Sequence, residues 1–334
     1  MNRLKLGVVG AGAWGKNHVR TAAALPEAEL AAVCDTADKV RSSIARQFPG
    51  AFVTERLDAL LERVDAVVVA SPARQHAEHA RQAIAAGKPC LVEKPFALTV
   101  ADAEAVAAAA AQAKVPVLAG HLLLFHPAVE ALRGMIRQGD LGSLYYLYSL
   151  RVNLGQVRAD ENALWSFGPH DVSVALHLLE DVPVRVSATG HAYLQPGVED
   201  VVFLVMEFQS GVIAHVQMSW LDPHKERKLT VVGSAKMVVF DDMQPREKLR
   251  IYDKGVNRPP EYASYGENLT LREGDIFIPK ISSVEPLAAE LGHFVRVARG
   301  AEPPRAGAAD GVQVVRVLEA ASRSLQAGGA PVRL

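Results

Sequence analysis

The sequence predicts two domains of different class: an α/β domain built on a parallel sheet over residues 1–120, and a domain with a large, mostly antiparallel open sheet over residues 121–334. Three observations predict this. Apolar runs alternate with helical patterns through the first 120 residues, the rhythm that builds parallel sheets. From residue 185 strand-like runs follow one another with only turns between them, the rhythm of antiparallel sheets. A chain of 334 residues also exceeds what one core usually holds, since cores stop growing at about 250 to 300 residues.

In the first domain, residues 5–9 form an apolar strand that runs into Gly10-Ala11-Gly12-Ala13-Trp14-Gly15 and then a helical pattern to about residue 24. G-x-G-x-x-G between a strand and a helix is a dinucleotide signature: Gly10 lets the chain turn, Gly12 leaves room for a pyrophosphate, and Gly15 permits close helix packing. The helix N-terminus offers free N–H groups to the diphosphate. A second strand, residues 29–34, ends at Asp35, 20 residues beyond Gly15. A carboxylate there accepts both ribose hydroxyls and repels a 2′-phosphate, so NAD is expected rather than NADP. This domain therefore reads as a Rossmann domain, with Gly10, Gly12, Ala13, Trp14, Gly15 and Asp35 at the cofactor.

The rhythm continues with helices 38–47 and 54–61, strand 66–70, helix 74–86, strand 89–92, helix 100–113 and strand 115–119. Loops after parallel strands gather at the carboxyl end of the sheet, which places Ser71, Pro72 and His76 near the cofactor. His76 and His79 lie three apart, but two ligands without a third make no metal site, and none is expected. Glu93, Lys94 and Pro95 follow strand 89–92, so Lys94 puts a cation at the crevice, and Glu93 and Lys94 are expected at the cofactor.

Residues 120–127 lead into a helix with Ala128, Val129, Leu132 and Ile136 on one face. A strand from Ser143 carries Leu144, Tyr146 and Tyr148 towards Arg151. Residues 162–171 then lead into an apolar helix, 172–179, so His170 and Asp171 are expected at a helix start. The imidazole can move a proton near neutral pH and the carboxylate suits the helix dipole. Strands follow at 185–193, 200–207, 211–219, 227–232 and 236–240. Lys225 and Arg227 alternate near a strand start, and Arg151 and Asn153 repeat that spacing; such pairs orient a diphosphate or carboxylate, or else form a solvated face or subunit contact. Trp220 is expected as a packed aromatic or a base-stacking one. Residues 245–281, broken by Gly and Pro, read as an extended crossing, with 275–279 too short to classify. Helices at 285–298 and 310–325 close the chain, the last with a stripe of Val314, Val317, Leu318 and Ala321 for docking on the first domain.

Composition excludes other classes. A formal net charge of -1 gives no reason to expect nucleic acid. Cys34 and Cys90 sit in apolar runs and read as core thiols, which suits a cytoplasmic enzyme. Neither a signal-peptide pattern nor a membrane span is expected.

The GAGAWG stretch, Glu93-Lys94-Pro95, Gly120-His121 and the segment from Trp165 to Asp171 together resemble the Gfo/Idh/MocA family of oxidoreductases over essentially the whole chain. Phe125-His126-Pro127, Arg151-Val152-Asn153 and the stretch from Ser219 to Arg227 are similar to its WlbA-like branch of UDP-N-acetylglucosamine and UDP-N-acetylglucosaminuronate 3-dehydrogenases. The resemblance implies that Lys94 and His170 line the place where a sugar hydroxyl faces the nicotinamide, Lys94 bonding the reacting oxygen and His170 taking or relaying its proton. His121, Phe125, Arg151, Asn153, Trp165, Ser166, Lys225 and Arg227 are expected at the substrate. It further implies a cis peptide before Pro95 in many members and a homodimer or homotetramer formed through the open sheet face. One departure stands out: Ser166 occupies the position, four before the histidine, where the family often has aspartate. A myo-inositol or free-sugar dehydrogenase, or a non-catalytic NAD-bound sugar sensor, remains open at this point.

Overall fold

The structure, a computed structural model, describes residues 3–155, 157–159, 161–257 and 270–334. Its contacts gather into two units, Met1–Phe125 with Val284–Arg316, and His126–Ser283 with Val317–Leu334.

The first unit holds six parallel strands: β1 (Leu4–Val9), β2 (Ala28–Cys34), β3 (Phe52–Thr54), β4 (Ala66–Val69), β5 (Cys90–Glu93) and β6 (Val117–Gly120). Their order is β3-β2-β1-β4-β5-β6, so the winding reverses between β1 and β4. Helices α1 (Gly15–Ala24), α2 (Asp38–Gln47), α3 (Leu57–Leu61), α4 (His76–Ala85) and α5 (Val100–Ala113) connect them. β4 and β5 are buried at every position, as apolar runs covered on both faces should be. The Thr99 hydroxyl caps α5 by accepting from the Asp102 N–H at 3.1 Å. The single helix expected over residues 54–61 is corrected: Phe52–Thr54 pairs beside Ala32–Cys34 as β3, and only Leu57–Leu61, which buries Leu60 and Leu61, is helical. Both cysteines are buried thiols, as read from their apolar surroundings, and burial pushes Cys34 up to about 11 and Cys90 up to about 12.

The second unit begins with α6 (Pro127–Arg137), β7 (Leu144–Val152) and α7 (Ala163–Leu179). Strands β8 (Pro183–His191), β9 (Val201–Phe208), β10 (Ile213–Ser219), β11 (Glu226–Gly233), β12 (Met237–Asp241), β13 (Leu249–Asn257) and β14 (Thr270–Phe277) follow. Helices α8 (Pro286–Ala298) and α9 (Ala308–Gln326) and the two-residue β15 (Val332–Arg333) end the chain. The nine-stranded sheet runs β14-β13-β12-β11-β7-β10-β9-β8-β15. Its ladders are antiparallel except between β7 and β10, which run parallel. α7 covers one face, over Leu147, Leu204, Met206, Ala214, Val216 and Met218. The other face leaves Tyr146, Tyr148, Phe203 and Ile213 exposed.

Two expectations change here. Residues 245–281, expected as an extended crossing with 275–279 unclassified, contain a pair of strands, β13 and β14; β14 is exposed at nearly every position, so no alternation marks it in the sequence, and residues 258–269 lie outside the described residues. α7 starts at Ala163, well before residue 172, because Asn162 caps it by accepting from the Trp165 N–H at 3.1 Å and Pro169 is accommodated within it. His170 and Asp171 therefore sit inside a helix, not at its start, and the dipole reading of Asp171 falls.

Among the described residues no helix is long and apolar enough to cross a membrane. α8 belongs to the first unit, where Leu291, Phe294 and Val295 join the core of Val19, Ala22, Leu30 and Leu118. Amid that apolar surface Glu290 is 0% exposed, and among the described residues neither carboxyl oxygen has a hydrogen-bond partner. Burial, then the charge of Glu93, raises its pKa well above the ordinary 4.5, so the native state holds a proton that the unfolded chain releases. That mismatch costs nothing below pH 4.5 and grows as pH rises towards the native value, by about 1.4 kcal/mol per pH unit. Glu290→Gln is expected to unfold at higher denaturant than the wild type at pH 7.5, the gap closing near pH 4.5; a gap independent of pH would contradict a neutral Glu290.

Candidate functional site

The winding reversal opens a crevice at the carboxyl ends of β1 and β4, and the glycine loop lies there. Gly10 has φ +86°, and a Cβ on it would lie 2.6 Å from the Ala70 carbonyl oxygen and the Ser71 nitrogen. A Cβ on Gly15 would lie 2.0 Å from the Gly10 carbonyl oxygen. These two glycines let the loop close on itself and on the end of β4. At Gly12, by contrast, a Cβ would meet nothing within 4 Å, so this part of the loop has room for a ligand against the backbone. α1 starts there with no side-chain cap and no acidic residue in its first turn, leaving its positive end for an anion. Asp35, at the end of β2, accepts from the Ala11 N–H at 2.8 Å and the Ala37 N–H at 2.9 Å, which fixes its carboxylate beside the loop. Room at Gly12, a free helix end and a fixed acid fit a pyrophosphate and an unphosphorylated ribose, the parts of NAD.

The loops after β4 and β5 are tied together by buried His76. Its Nδ1 lies 2.8 Å from the Pro95 carbonyl oxygen and its Nε2 2.7 Å from that of Ser71. The Ser71 hydroxyl meets His79 Nδ1 at 2.9 Å. The Lys94-Pro95 peptide is cis. Glu93, expected at the cofactor, has its carboxylate engaged by the protein: Oε1 accepts from Trp14 Nε1 at 2.6 Å and meets His18 Nε2 at 2.6 Å, while Oε2 accepts from the Lys94 N–H at 2.9 Å. Burial works against its charge, but these contacts outweigh burial and keep its pKa below the ordinary value. His18 was missed in the sequence; its one signal is the spacing of a helical turn from Trp14. His121 is buried, and Phe125 turns to a 340 Å³ cavity shared with His293, Arg296 and Arg305, its ring 5.1 Å from that of His293.

In the second unit β7 and β10 end, and β11 begins, at one edge, where Val152 pairs with Ser219 and with Glu226. Arg151 is buried there and grips Asp171 of α7, with Nε to Oδ2 at 2.5 Å and Nη2 to Oδ1 at 3.3 Å. The Ser149 hydroxyl donates to the same carboxylate at 2.5 Å. Asp171 is thus tied to β7 through both of its carboxylate oxygens. Ser166 is buried one turn before His170 on α7. Arg227 lies directly opposite Arg151 in the ladder, a pairing of like charges that needs neutralising. Asp171 neutralises one; Asp242, 3.5 Å from Arg227 Nη1, meets the other. Asp242 also lies 3.5 Å from Lys248 Nζ and 3.7 Å from His126 Nε2. His126 accepts from the Ala128 N–H at its Nδ1 and packs on Phe240, and burial lowers its pKa. Lys225 is exposed, and the Asn153 N–H donates to the Ser219 carbonyl at 3.1 Å. Trp165 is held by Ser322, to whose hydroxyl its Nε1 donates at 3.0 Å, and Trp220 is packed in the core. Asp242 and Lys248 were not picked out from the sequence, and His126 only as part of the Phe125-His126-Pro127 motif; Asp242 and Lys248 reach Arg227 only when the β12–β13 turn folds beside the start of β11.

Two family models match this chain in succession. Residues 4–121 match the model of an oxidoreductase family with an NAD-binding Rossmann fold, and residues 129–239 match the GFO/IDH/MocA C-terminal domain. UDP-N-acetylglucosamine 3-dehydrogenase of Acidithiobacillus ferrooxidans is 28% identical over 327 residues, 96% of each chain. Its solved structure superposes with a TM-score of 0.83 at 25% identity, over 98% of this chain and 99% of that one. GenD2 of gentamicin A biosynthesis, solved with NAD, has a TM-score of 0.83 at 27% identity over 100% and 97% of the chains. Inositol 2-dehydrogenase 2 of Saccharopolyspora erythraea is 32% identical over 227 residues, 64% of this chain and 66% of that one. With both domain models matched in order on a fold that carries the glycine loop, Asp35 and the Glu93-Lys94-Pro95 segment, the chain belongs to the Gfo/Idh/MocA family of NAD-dependent oxidoreductases.

Proposed function

We propose that this chain oxidises a secondary hydroxyl of a UDP-N-acetyl sugar to a ketone, at C3 of UDP-N-acetylglucosaminuronate or of its parent UDP-N-acetylglucosamine. The observation that carries this is the end-to-end likeness to a UDP-N-acetylglucosamine 3-dehydrogenase, which spans both units rather than the Rossmann half alone. NAD, when bound, supplies the acceptor for the hydride that leaves the carbinol carbon. The glycine loop and the start of α1 hold its pyrophosphate, Asp35 its ribose hydroxyls, and the Ser71, Pro72 and His76 segment borders it.

Lys94 hydrogen-bonds the substrate oxygen and stabilises the negative charge that grows there as its proton departs. His170 takes that proton. Ser166 contributes a hydroxyl but no charge, so the imidazolium is not offset by a carboxylate one turn away. Arg151 works at one remove from the substrate: with its charge spent on Asp171, it fastens the helix that carries His170 to β7. Arg227 and Lys225, joined by Lys248, form the basic edge that receives the diphosphate or the uronate carboxylate. His121, Phe125, Asn153 and Trp165 shape the remainder of the substrate region. The first unit binds NAD, and the second, through Tyr146, Tyr148, Phe203 and Ile213 on its open face, assembles a homodimer or homotetramer. Two buried free thiols support a cytoplasmic location.

Purified protein mixed with NAD and, separately, UDP-N-acetylglucosaminuronate, UDP-N-acetylglucosamine and myo-inositol, with and without an oxoacid to recycle reduced nicotinamide, is expected to yield a ketosugar two hydrogens lighter from a UDP sugar alone. Oxidation of myo-inositol alone would reject the nucleotide-sugar reading. Lys94→Ala is expected to lower kcat by about a hundredfold or more while NADH still binds; undiminished kcat would remove Lys94 from the chemistry. Arg227→Ala is expected to raise KM for the UDP sugar roughly tenfold with kcat little changed, and an unchanged KM would move the diphosphate elsewhere. By light scattering the wild type is expected as a dimer or tetramer and Ile213→Glu as a smaller species; a monomeric wild type would leave the open face without this role.

A further inference from the structure

The Glu93 carboxylate is 6% exposed and sits at the carboxyl end of β5, where it collects donors from three places in the chain. Trp14 belongs to the glycine loop, His18 to α1, and the Lys94 N–H to the segment that carries the proposed reacting-centre lysine. Trp14 is 44% exposed, yet its indole N–H points inward to this carboxylate. An exposed ring tethered by a buried bond is an arrangement that reports loop position to the interior. The neighbouring Gly12 is the place where the loop is open to a ligand, so a dinucleotide that settles there bears on a segment anchored to Glu93.

Resting on the role of Lys94 at the reacting oxygen, we propose that Glu93 is a positioning residue: it joins Trp14 of the dinucleotide loop to the Lys94 backbone, so that the position of the loop sets the placement of the lysine. Glu93 then acts without touching the substrate. Its partner in the same interior, Glu290, is the neutral member of the two buried carboxyls, which leaves Glu93 as the ionised one and its bonds to Trp14, His18 and Lys94 as charge-assisted. A residue that merely contacted the cofactor would instead have its effect on affinity.

The two roles separate in the full-length protein with Trp14→Phe, Glu93→Gln and the double variant, each titrated with NADH by fluorescence and assayed for kcat with the UDP sugar that the wild type oxidises. Each single change is expected to lower kcat about tenfold while the NADH Kd moves less than about threefold. The double variant is expected to lose no more than Glu93→Gln alone, since both changes break one link. A raised Kd with intact kcat would make Glu93 a cofactor ligand, and losses that multiply in the double variant would make the two residues independent; either result overturns the coupling. Trp14→Phe alters a partly exposed side chain and carries the test if Glu93→Gln does not fold. Lys94→Ala run alongside distinguishes the two failures: full turnover there removes the proposed chemistry and the coupling with it, whereas lost turnover there with wild-type kinetics in Trp14→Phe overturns the coupling alone.

Discussion

The first unit depends on a contact between backbones. Gly10 comes so close to Ala70 and Ser71 that no side chain fits between them, and Gly15 does the same against Gly10. These approaches bring the end of β1 against the end of β4 at the point where the strand order reverses, and this fixes where the crevice lies. The consequences are local and largely obligatory: α1 starts with its N–H groups facing the crevice, Asp35 is pinned by Ala11 within the loop, and Trp14 reaches back to Glu93.

Charge is handled in three ways inside this chain. Arg151 and Asp171 are buried together with near-bidentate geometry, and Ser149 completes the carboxylate's bonding, so the interior meets a paired and hydrogen-bonded ion. Glu93 keeps its charge through three donors. Glu290, with no donor, gives up its charge to burial. The contacts of the Asp242 carboxylate, at 3.5 to 3.7 Å, are looser: they hold Arg227, Lys248 and His126 near one another, while Lys248 Nζ also donates to the Asp242 carbonyl at 3.0 Å.

Most of the fold could be read from the sequence because the signals were local. The glycine loop, Asp35 at its spacing, and the all-apolar β4 and β5 each announce themselves within a few residues. The parts that could not be read depend on distant partners. β3 is three residues long and exists only because β2 offers it an edge. β14 buries almost nothing and so carries no period. α7 begins early because Asn162 caps it, and a proline inside the helix disguises its continuity. At the site, Lys94 and His170 stood out by motif, but the pairing of Arg151 with Asp171 joins residues twenty apart, and neither spacing nor composition foretells it. His18 and Glu290 escaped notice for the same reason, since their importance lies in burial that only the packing of α1 and α8 creates.

The two ends of the nine-stranded sheet differ in how they finish. β14 presents Arg272, Glu273 and Asp275 on an exposed strand, with Glu273 near Lys254 and Arg272 near Asp253. β15 is two residues long. A row of unpaired amides is a template on which a further strand can add, and charge or brevity spoils that template. The sheet is therefore ill suited to growing sideways into fibres, and the aromatic side chains it exposes, Tyr146, Tyr148 and Phe203, stand on its face, on strands away from either rim.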